Sequence, residues 1–118
     1  MIELILPWPD SRLNPNRSKG THWGGTSALR QSARTEAWAL TKQAARGYVV
    51  PAGEIALTVI FVQPDKRRRD IDNLMASQKN ANDGIADALG IDDQRFNPII
   101  IRREYGSKPG CVRITIGG

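Results

Sequence analysis

The side chains best suited to chemistry in this 118-residue sequence are two carboxylates and an amide that directly follow four cations. The basic run is Lys66-Arg67-Arg68-Arg69, and the acidic motif is Asp70-Ile71-Asp72-Asn73. Magnesium prefers oxygen ligands and is commonly held by one or two carboxylates together with a substrate phosphate. Bound there, the ion would make water a better nucleophile and would neutralise charge that develops on the phosphoryl group. The motif therefore predicts a site for magnesium-dependent phosphodiester hydrolysis.

Charge is distributed unevenly along the chain. The formal net charge is +5 and the sequence pI is about 9.9, which favours an anionic partner such as nucleic acid. Residues 70–93 nevertheless hold six of the twelve acids and one base, so this segment carries −5 and the remainder +10. Such a contrast suits a nuclease, because cations hold the phosphates while carboxylates hold the metal ion. The cations that we expect to contact DNA are Arg12, Arg17, Lys19, Arg67, Arg68 and Arg69.

The same acids also have a purely structural interpretation. Asp and Asn at the start of a helix are common caps, and they interact favourably with the helix dipole. On a helix that begins near Asp72, the side chains of Asp72, Lys79 and Asp83 lie within about 40° of one another, opposite the apolar stripe. Placing Asp70 beside Asp72 also costs repulsion that a cation would relieve. From the residues alone, a helix cap and a metal site both remain open.

Composition argues against several classes of protein. Cys111 is the single cysteine, so no intrachain disulfide forms, as expected in a reducing cytoplasm. Because His22 is the single histidine, we expect no zinc site. The apolar run at residues 55–62 is too short to span a bilayer, and residues 1–6 lack the basic start of a signal peptide. We therefore expect one domain over residues 1–118, without a membrane partner.

Apolar periodicity predicts the elements that must position the acids. The predicted elements are strands at residues 1–6, 55–62, 98–105 and 111–116 and helices at residues 26–46 and 72–89. The strand at 55–62 is apolar on both faces, which predicts a central strand with covering on each side. The loop at residues 106–110 predicts a hairpin between the last two strands. The order β-α-β-α-β-β indicates an α+β domain with one mixed sheet and two main helices.

Gly84 interrupts the second predicted helix. A glycine inside a helix costs about 1 kcal/mol relative to alanine. Its presence therefore predicts close packing against a neighbouring element, for which a dimer interface is one candidate.

Three segments carry a family resemblance. They are Leu6-Pro7-Trp8-Pro9, Arg67-Arg68-Arg69-Asp70-Ile71-Asp72-Asn73-Leu74 and Asp83-Gly84-Ile85-Ala86-Asp87-Ala88-Leu89-Gly90-Ile91-Asp92-Asp93. In this order, over nearly the whole chain, they resemble the RusA family of Holliday-junction resolvases. The resemblance implies a homodimeric endonuclease that uses Mg²⁺ to make paired symmetric cuts in four-way DNA junctions during recombination and repair. It also implies a cytoplasmic protein of a bacterium or a phage.

The resemblance also implies roles for particular residues. Asp70, Asp72 and Asp93 would be the catalytic acids that bind the metal ion. The family's catalytic lysine would be replaced by Lys79, since Ala76 stands three residues after the motif's asparagine and Lys79 lies one turn later on the same face. The remaining acids of the segment that we expect to be accessory are Asp83 and Asp92.

Two other functions remain open at this level. One is a basic DNA-binding module without catalytic activity, in which the acids are helix caps. The other is a magnesium-dependent nuclease that acts on flaps or other branched DNA.

Overall fold

Alternating apolar side chains build one mixed four-stranded sheet in the computed structural model, which describes residues 1–14 and 26–117. The strands are β1 (Ile2–Pro7), β2 (Ile55–Gln63), β3 (Phe96–Tyr105) and β4 (Cys111–Ile116). Their spatial order is β1-β4-β2-β3. Strand β4 is antiparallel to both β1 and β2, whereas β3 is parallel to β2.

Two helices connect the strands. They are α1 (Ser27–Ala44) and α2 (Ile71–Leu89), and Gly90 ends α2 in the left-handed conformation, with φ 68°. The single-turn 3-10 helices Ser11–Leu13 and Asp93–Arg95 follow β1 and α2. The predicted order β-α-β-α-β-β and the α+β class with one mixed sheet are confirmed. Neither α1 nor α2, the helices of the described ranges, is long and apolar enough to cross a membrane.

The hydrophobic core lies on one face of the sheet. Alternate residues of β2, from Ile55 to Phe61, are at most 2% exposed and pack with Leu74 and Ile85 of α2 and Ala37 of α1. The other residues of β2 are Ala56, Thr58, Ile60 and Val62, and they are only half-buried. The prediction that β2 is covered on each side is therefore wrong, since within the described ranges both helices pack on the same face.

The predicted hairpin between the last two strands is also wrong. Strand β3 pairs with β2 alone, and β4 lies on the other side of β2. The loop between them crosses the end of β2, where the Gly106 N–H donates to the Gln63 carbonyl at 2.8 Å. A Cβ on Gly106 would lie 2.5 Å from Val62 Cγ1, and one on Gly110 (φ 77°) would lie 2.9 Å from Pro64 Cδ. Glycines that signalled a tight turn thus allow a close crossing over β2 instead.

Gly84 is the point at which α2 crosses α1. A Cβ on Gly84 would overlap the carbonyl oxygen of Arg34 and would lie 3.2 Å from Ala37 Cβ. The side chain of Arg34 continues the contact with a bidentate pair to Asp87, at 2.6 and 3.0 Å. The predicted close packing is therefore confirmed, and it lies between two helices of the same chain.

We predict that Gly84→Ala lowers the free energy of unfolding by about 1–3 kcal/mol, because the added methyl forces the two helices apart. In an unpacked helix, the same change raises stability by about 1 kcal/mol. Urea denaturation measures the difference. Gln43→Ala, on the exposed side of α1, is the control and should stay within about 0.5 kcal/mol of the wild type. A Gly84→Ala protein more stable than the wild type would show that the helices have room to adjust.

Candidate active site

The connection from β2 to α2 is folded around the carboxylate of Asp65. Its Oδ1 accepts hydrogen bonds from the Arg67 backbone N–H at 2.9 Å and from Arg69 Nη1 at 2.8 Å. The buried amide of Gln63 fixes the same turn, because its Nε2 donates to the Arg67 carbonyl at 3.0 Å. The Arg69 guanidinium, above all, lowers the pKa of Asp65 to about 2. The basic run is therefore held in a defined conformation.

The four cations of the run divide into two groups. The side chain of Arg69 is only 18% exposed, pairs with Asp65, and lies over the ring of Trp8, with Cζ 5.3 Å from the ring centroid. The side chains of Lys66, Arg67 and Arg68 are exposed, and no carboxylate among the described residues forms a salt bridge with them. Three cations thus remain available for an anionic partner, while Arg69 stabilises the site.

Asp70 caps α2. Its Oδ1 accepts the backbone N–H of Asp72 at 2.8 Å and that of Asn73 at 3.4 Å. The structural interpretation of Asp70 is therefore confirmed. Its second carboxylate oxygen, Oδ2, has no hydrogen bond within the described residues, and neither has the exposed carboxylate of Asp72. Capping uses only one of the four carboxylate oxygens, so the cap does not exclude a metal ion.

Lys79 lies on the Asp72 face of α2, two turns further along the helix. The spacing of seven residues corresponds to about 10 Å along the axis. Its Nζ lies 3.3 Å from the carboxylate of Asp83, in an i,i+4 pair, and the lysine side chain is 68% exposed. Lys79 and Asp83 therefore share a face of α2 as predicted. The ammonium group, however, is directed along the helix, away from Asp70.

Asp92 and Asp93 lie beyond the opposite end of α2. Asp92 caps the 3-10 turn by accepting the Gln94 N–H at 2.9 Å, and Asp93 is exposed. Helix α2 has 19 residues and is therefore about 28 Å long. Because β2 and β3 are parallel, Asp70 follows the end of one strand while Asp93 precedes the start of its neighbour. Within residues 1–14 and 26–117, no three His, Cys, Asp or Glu side chains come together as a metal site.

A cleft of about 570 Å³ opens beside Asp70. One wall comes from the segment after β1, with Trp8, Pro9, Asp10, Ser11 and Asn14, and the other from residues 67–70 and the first turns of α2. Trp8 is anchored in an edge-to-face contact with Phe61, at 6.1 Å between ring centroids. The cleft therefore brings the arginines of the basic run, an aromatic ring and the first acid of the motif to one surface.

Of the other cations predicted to contact DNA, the structure describes Arg12 alone. Arg12 is exposed and pairs with Asp10 at 2.9 Å, a contact that raises the pKa of the guanidinium mainly through the hydrogen bond. Arg17 and Lys19 lie outside the described residues.

Sequence reasoning missed two residues that shape this site. Asp65 was predictable in part, because it stands four residues before Arg69 at the end of a strand. Arg103 of β3 carried no local signal, yet its Nη1 donates to the Arg69 carbonyl at 2.6 Å. This contact places the end of β3 beside the start of α2.

We predict that Asp65 contributes to stability at neutral pH and that this contribution is lost in acid. A carboxylate whose pKa is lowered from 3.8 to about 2 stabilises the fold above its ordinary pKa and ceases to do so as pH falls from about 4 to about 2. The difference in thermal midpoint between the wild type and Asp65→Asn should therefore shrink over that range. Glu3→Gln, which removes an exposed carboxylate on β1, is the control and should show no such change. A constant difference across the range would contradict the role of Asp65.

Comparison with known proteins identifies a relative of this chain. No family model matches the chain. A protein of Xylella fastidiosa (strain Temecula1), described as an uncharacterized protein, is 38% identical over 120 residues, and the alignment covers 100% of this chain and 77% of that protein. Identity at this level over the full chain means that this protein belongs to the same family as the uncharacterized protein of Xylella fastidiosa.

Proposed function

We propose that this protein is a magnesium-dependent endodeoxyribonuclease that resolves four-way DNA junctions by paired symmetric cuts. The observation that carries the proposal is the placement of Asp70 in the lining of a cleft walled by three arginines, with the exposed carboxylate of Asp72 two residues further along the chain. A nuclease needs cations that hold the DNA backbone next to acids that hold a hard metal ion. The resemblance to the RusA family supports the four-way junction as substrate. It also supports a cytoplasmic protein encoded by a bacterium or a phage.

The acids present fit a magnesium ion. The Asp72 carboxylate is exposed, and Asp70 Oδ2 has no hydrogen bond within the described residues, so three carboxylate oxygens are open to a ligand. Magnesium commonly takes one or two protein carboxylates and fills its other positions with water and phosphate oxygens. When bound, the ion lowers the pKa of water and stabilises charge on the phosphoryl oxygens.

The chain's own residues supply binding and orientation. Arg67 and Arg68 hold the backbone phosphates that flank the scissile bond, and the Asp65 carboxylate keeps their loop in place. Lys79 reaches the developing negative charge after leaving its surface pair with Asp83. That pair is largely exposed and therefore contributes little to stability, so its exchange for a phosphate contact costs little.

A second copy of the chain supplies the third acid in this proposal. Asp93 cannot reach Asp70 in its own chain, because a helix of about 28 Å separates them. Strand β3 is an edge strand, and its apolar side chains Ile99, Ile100 and Tyr105 are 46%, 47% and 65% exposed. Long apolar edges of this kind invite pairing with another strand.

Pairing two β3 edges around a two-fold axis would cover the exposed apolar edge and would bring Asp93 of one chain toward Asp70 of the other. Strands related by such an axis run antiparallel, so the start of one β3 meets the end of the other. The end of β3 lies beside the start of α2, since Arg103 bonds to the Arg69 carbonyl. The partner's Asp93 would then approach Asp70 and Asp72, and two equivalent sites would face the two strands that are cut.

We predict that Asp72→Asn abolishes cutting and preserves binding. The change keeps the side chain's shape and removes the charge that holds the metal ion, so cutting should fall by at least about 100-fold. Binding should equal or exceed that of the wild type, because a negative charge facing phosphate is lost. Glu36→Gln, which removes a charge on α1, is the control and should cut normally.

The assay uses a labelled four-way junction, a labelled flap and the linear duplex of the same sequence, each with magnesium or with EDTA. The proposal is supported if the junction is cut, the flap and the linear duplex are not, and cutting occurs with magnesium but not with EDTA. Binding without cutting in the presence of any divalent metal would identify a DNA-binding module. Equal cutting of the linear duplex, or preferential cutting of the flap, would rule out a junction resolvase.

We further predict complementation between two inactive variants. In a mixed dimer of Asp72→Asn and Asp93→Asn, one shared site carries both changes and the other carries neither. An equal mixture should regain about a quarter of the wild-type sites, since random exchange makes about half of the dimers mixed. Its product should be a nick in one strand rather than paired cuts. Failure to regain any activity would contradict a site shared between two chains.

A further inference from the structure

The cleft beside Asp70 is larger than phosphate binding requires. We propose, building on the proposed function, that it takes one unstacked nucleotide of the strand to be cut. The protein would then recognise a branch point by a base that has left its stack. The substrate class is thus a DNA branch with an unpaired or easily unpaired nucleotide next to the scissile phosphate.

The size and shape of the cleft suit a single nucleotide. Its volume of about 570 Å³ lies within the range of sites that enclose a single small ligand, about 300–1,000 Å³. Both walls belong to one domain, since one follows β1 and the other is the start of α2. Base pairs stacked in a duplex cannot enter such a space, whereas a nucleotide rotated out of the helix can.

The apolar part of the lining suits the face of a base. Trp8, Pro9 and Leu74 line the cleft, and the guanidinium of Arg69 lies over the Trp8 ring. Unstacked bases are commonly held against aromatic rings and arginine planes. Trp8 is fixed by Phe61, and Arg69 by Asp65, so this surface is organised before a ligand arrives.

The polar part of the lining suits the edge of a base. The side-chain amide of Asn73 lines the cleft and has no hydrogen bond within the described residues. An amide offers both a donor and an acceptor, which is the arrangement used to read base edges. The nearby Ser77 hydroxyl donates to the Asn73 carbonyl at 2.9 Å, so its oxygen can still accept a hydrogen bond.

The position of the cleft connects it to the cut. Asp70 belongs to its lining, and Asp72 is two residues further along the chain. A nucleotide seated between Trp8 and Asn73 therefore places an adjoining phosphate near the acids and the exposed Arg67 and Arg68. Unstacking costs least where pairing is already disturbed, so a branch point is preferred over a linear duplex.

The test places 2-aminopurine at the branch of a four-way junction and, separately, at an internal paired position. A dye on one arm reports overall binding by anisotropy, and EDTA prevents cutting. We expect a fluorescence rise on binding from the branch position only. Asn73→Leu should abolish most of this rise and weaken junction binding by about tenfold. Asn80→Leu, on the same helix but outside the cleft lining, is the matched control and should behave like the wild type.

Photo-crosslinking locates the base. With 5-iodouracil at the same branch position, we expect a crosslink to the peptide that contains Trp8. Tight binding without a branch-specific fluorescence rise, or crosslinks only to other peptides, would overturn the nucleotide site even if the protein cuts junctions normally. Failure to bind any junction would overturn the proposed function as well, so the two results are distinguishable.

Discussion

The parallel pairing of β2 with β3 determines where the acids of this protein can lie. A connection between adjacent parallel strands must return the chain to the starting end of the sheet, and here α2 makes that return over about 28 Å. Asp70 begins the helix and Asp93 follows it, so the fold separates them by the length of the sheet. The proposed site, which uses both acids, therefore draws them from two chains.

A second constraint is electrostatic and local. Four consecutive cations repel one another, and a loop that carries them needs an internal counter-charge to keep one conformation. Asp65 provides it by accepting the Arg67 N–H and the Arg69 guanidinium together. One cation is thereby withdrawn from ligand binding, because Arg69 pairs with Asp65 and packs on Trp8. The benefit is a fixed loop whose other cations stay exposed at the cleft.

The sequence predicted what depends on neighbouring residues. Periodicity located the two helices and four strands of the described ranges within a few residues, because the burial of residues such as Leu74 and Ile85 depends on one face of one element. It failed for the hairpin, because the pairing of β4 with β1 and β2 is set by contacts distant in sequence. It located Asp70 and Asp72 but not Arg103, whose contact with the Arg69 carbonyl depends on the sheet register.

Helix capping explains one acid of the motif and leaves the other unexplained. A single carboxylate satisfies the free N–H groups of the first turn, and Asp70 does so through one oxygen. Asp72 forms no hydrogen bond within the described residues, although it stands beside another carboxylate. Its attraction to the helix dipole is worth only about 0.3–1 kcal/mol, and repulsion from Asp70 opposes it. Folding therefore gives little reason for the second acid, whereas a bound cation would use both.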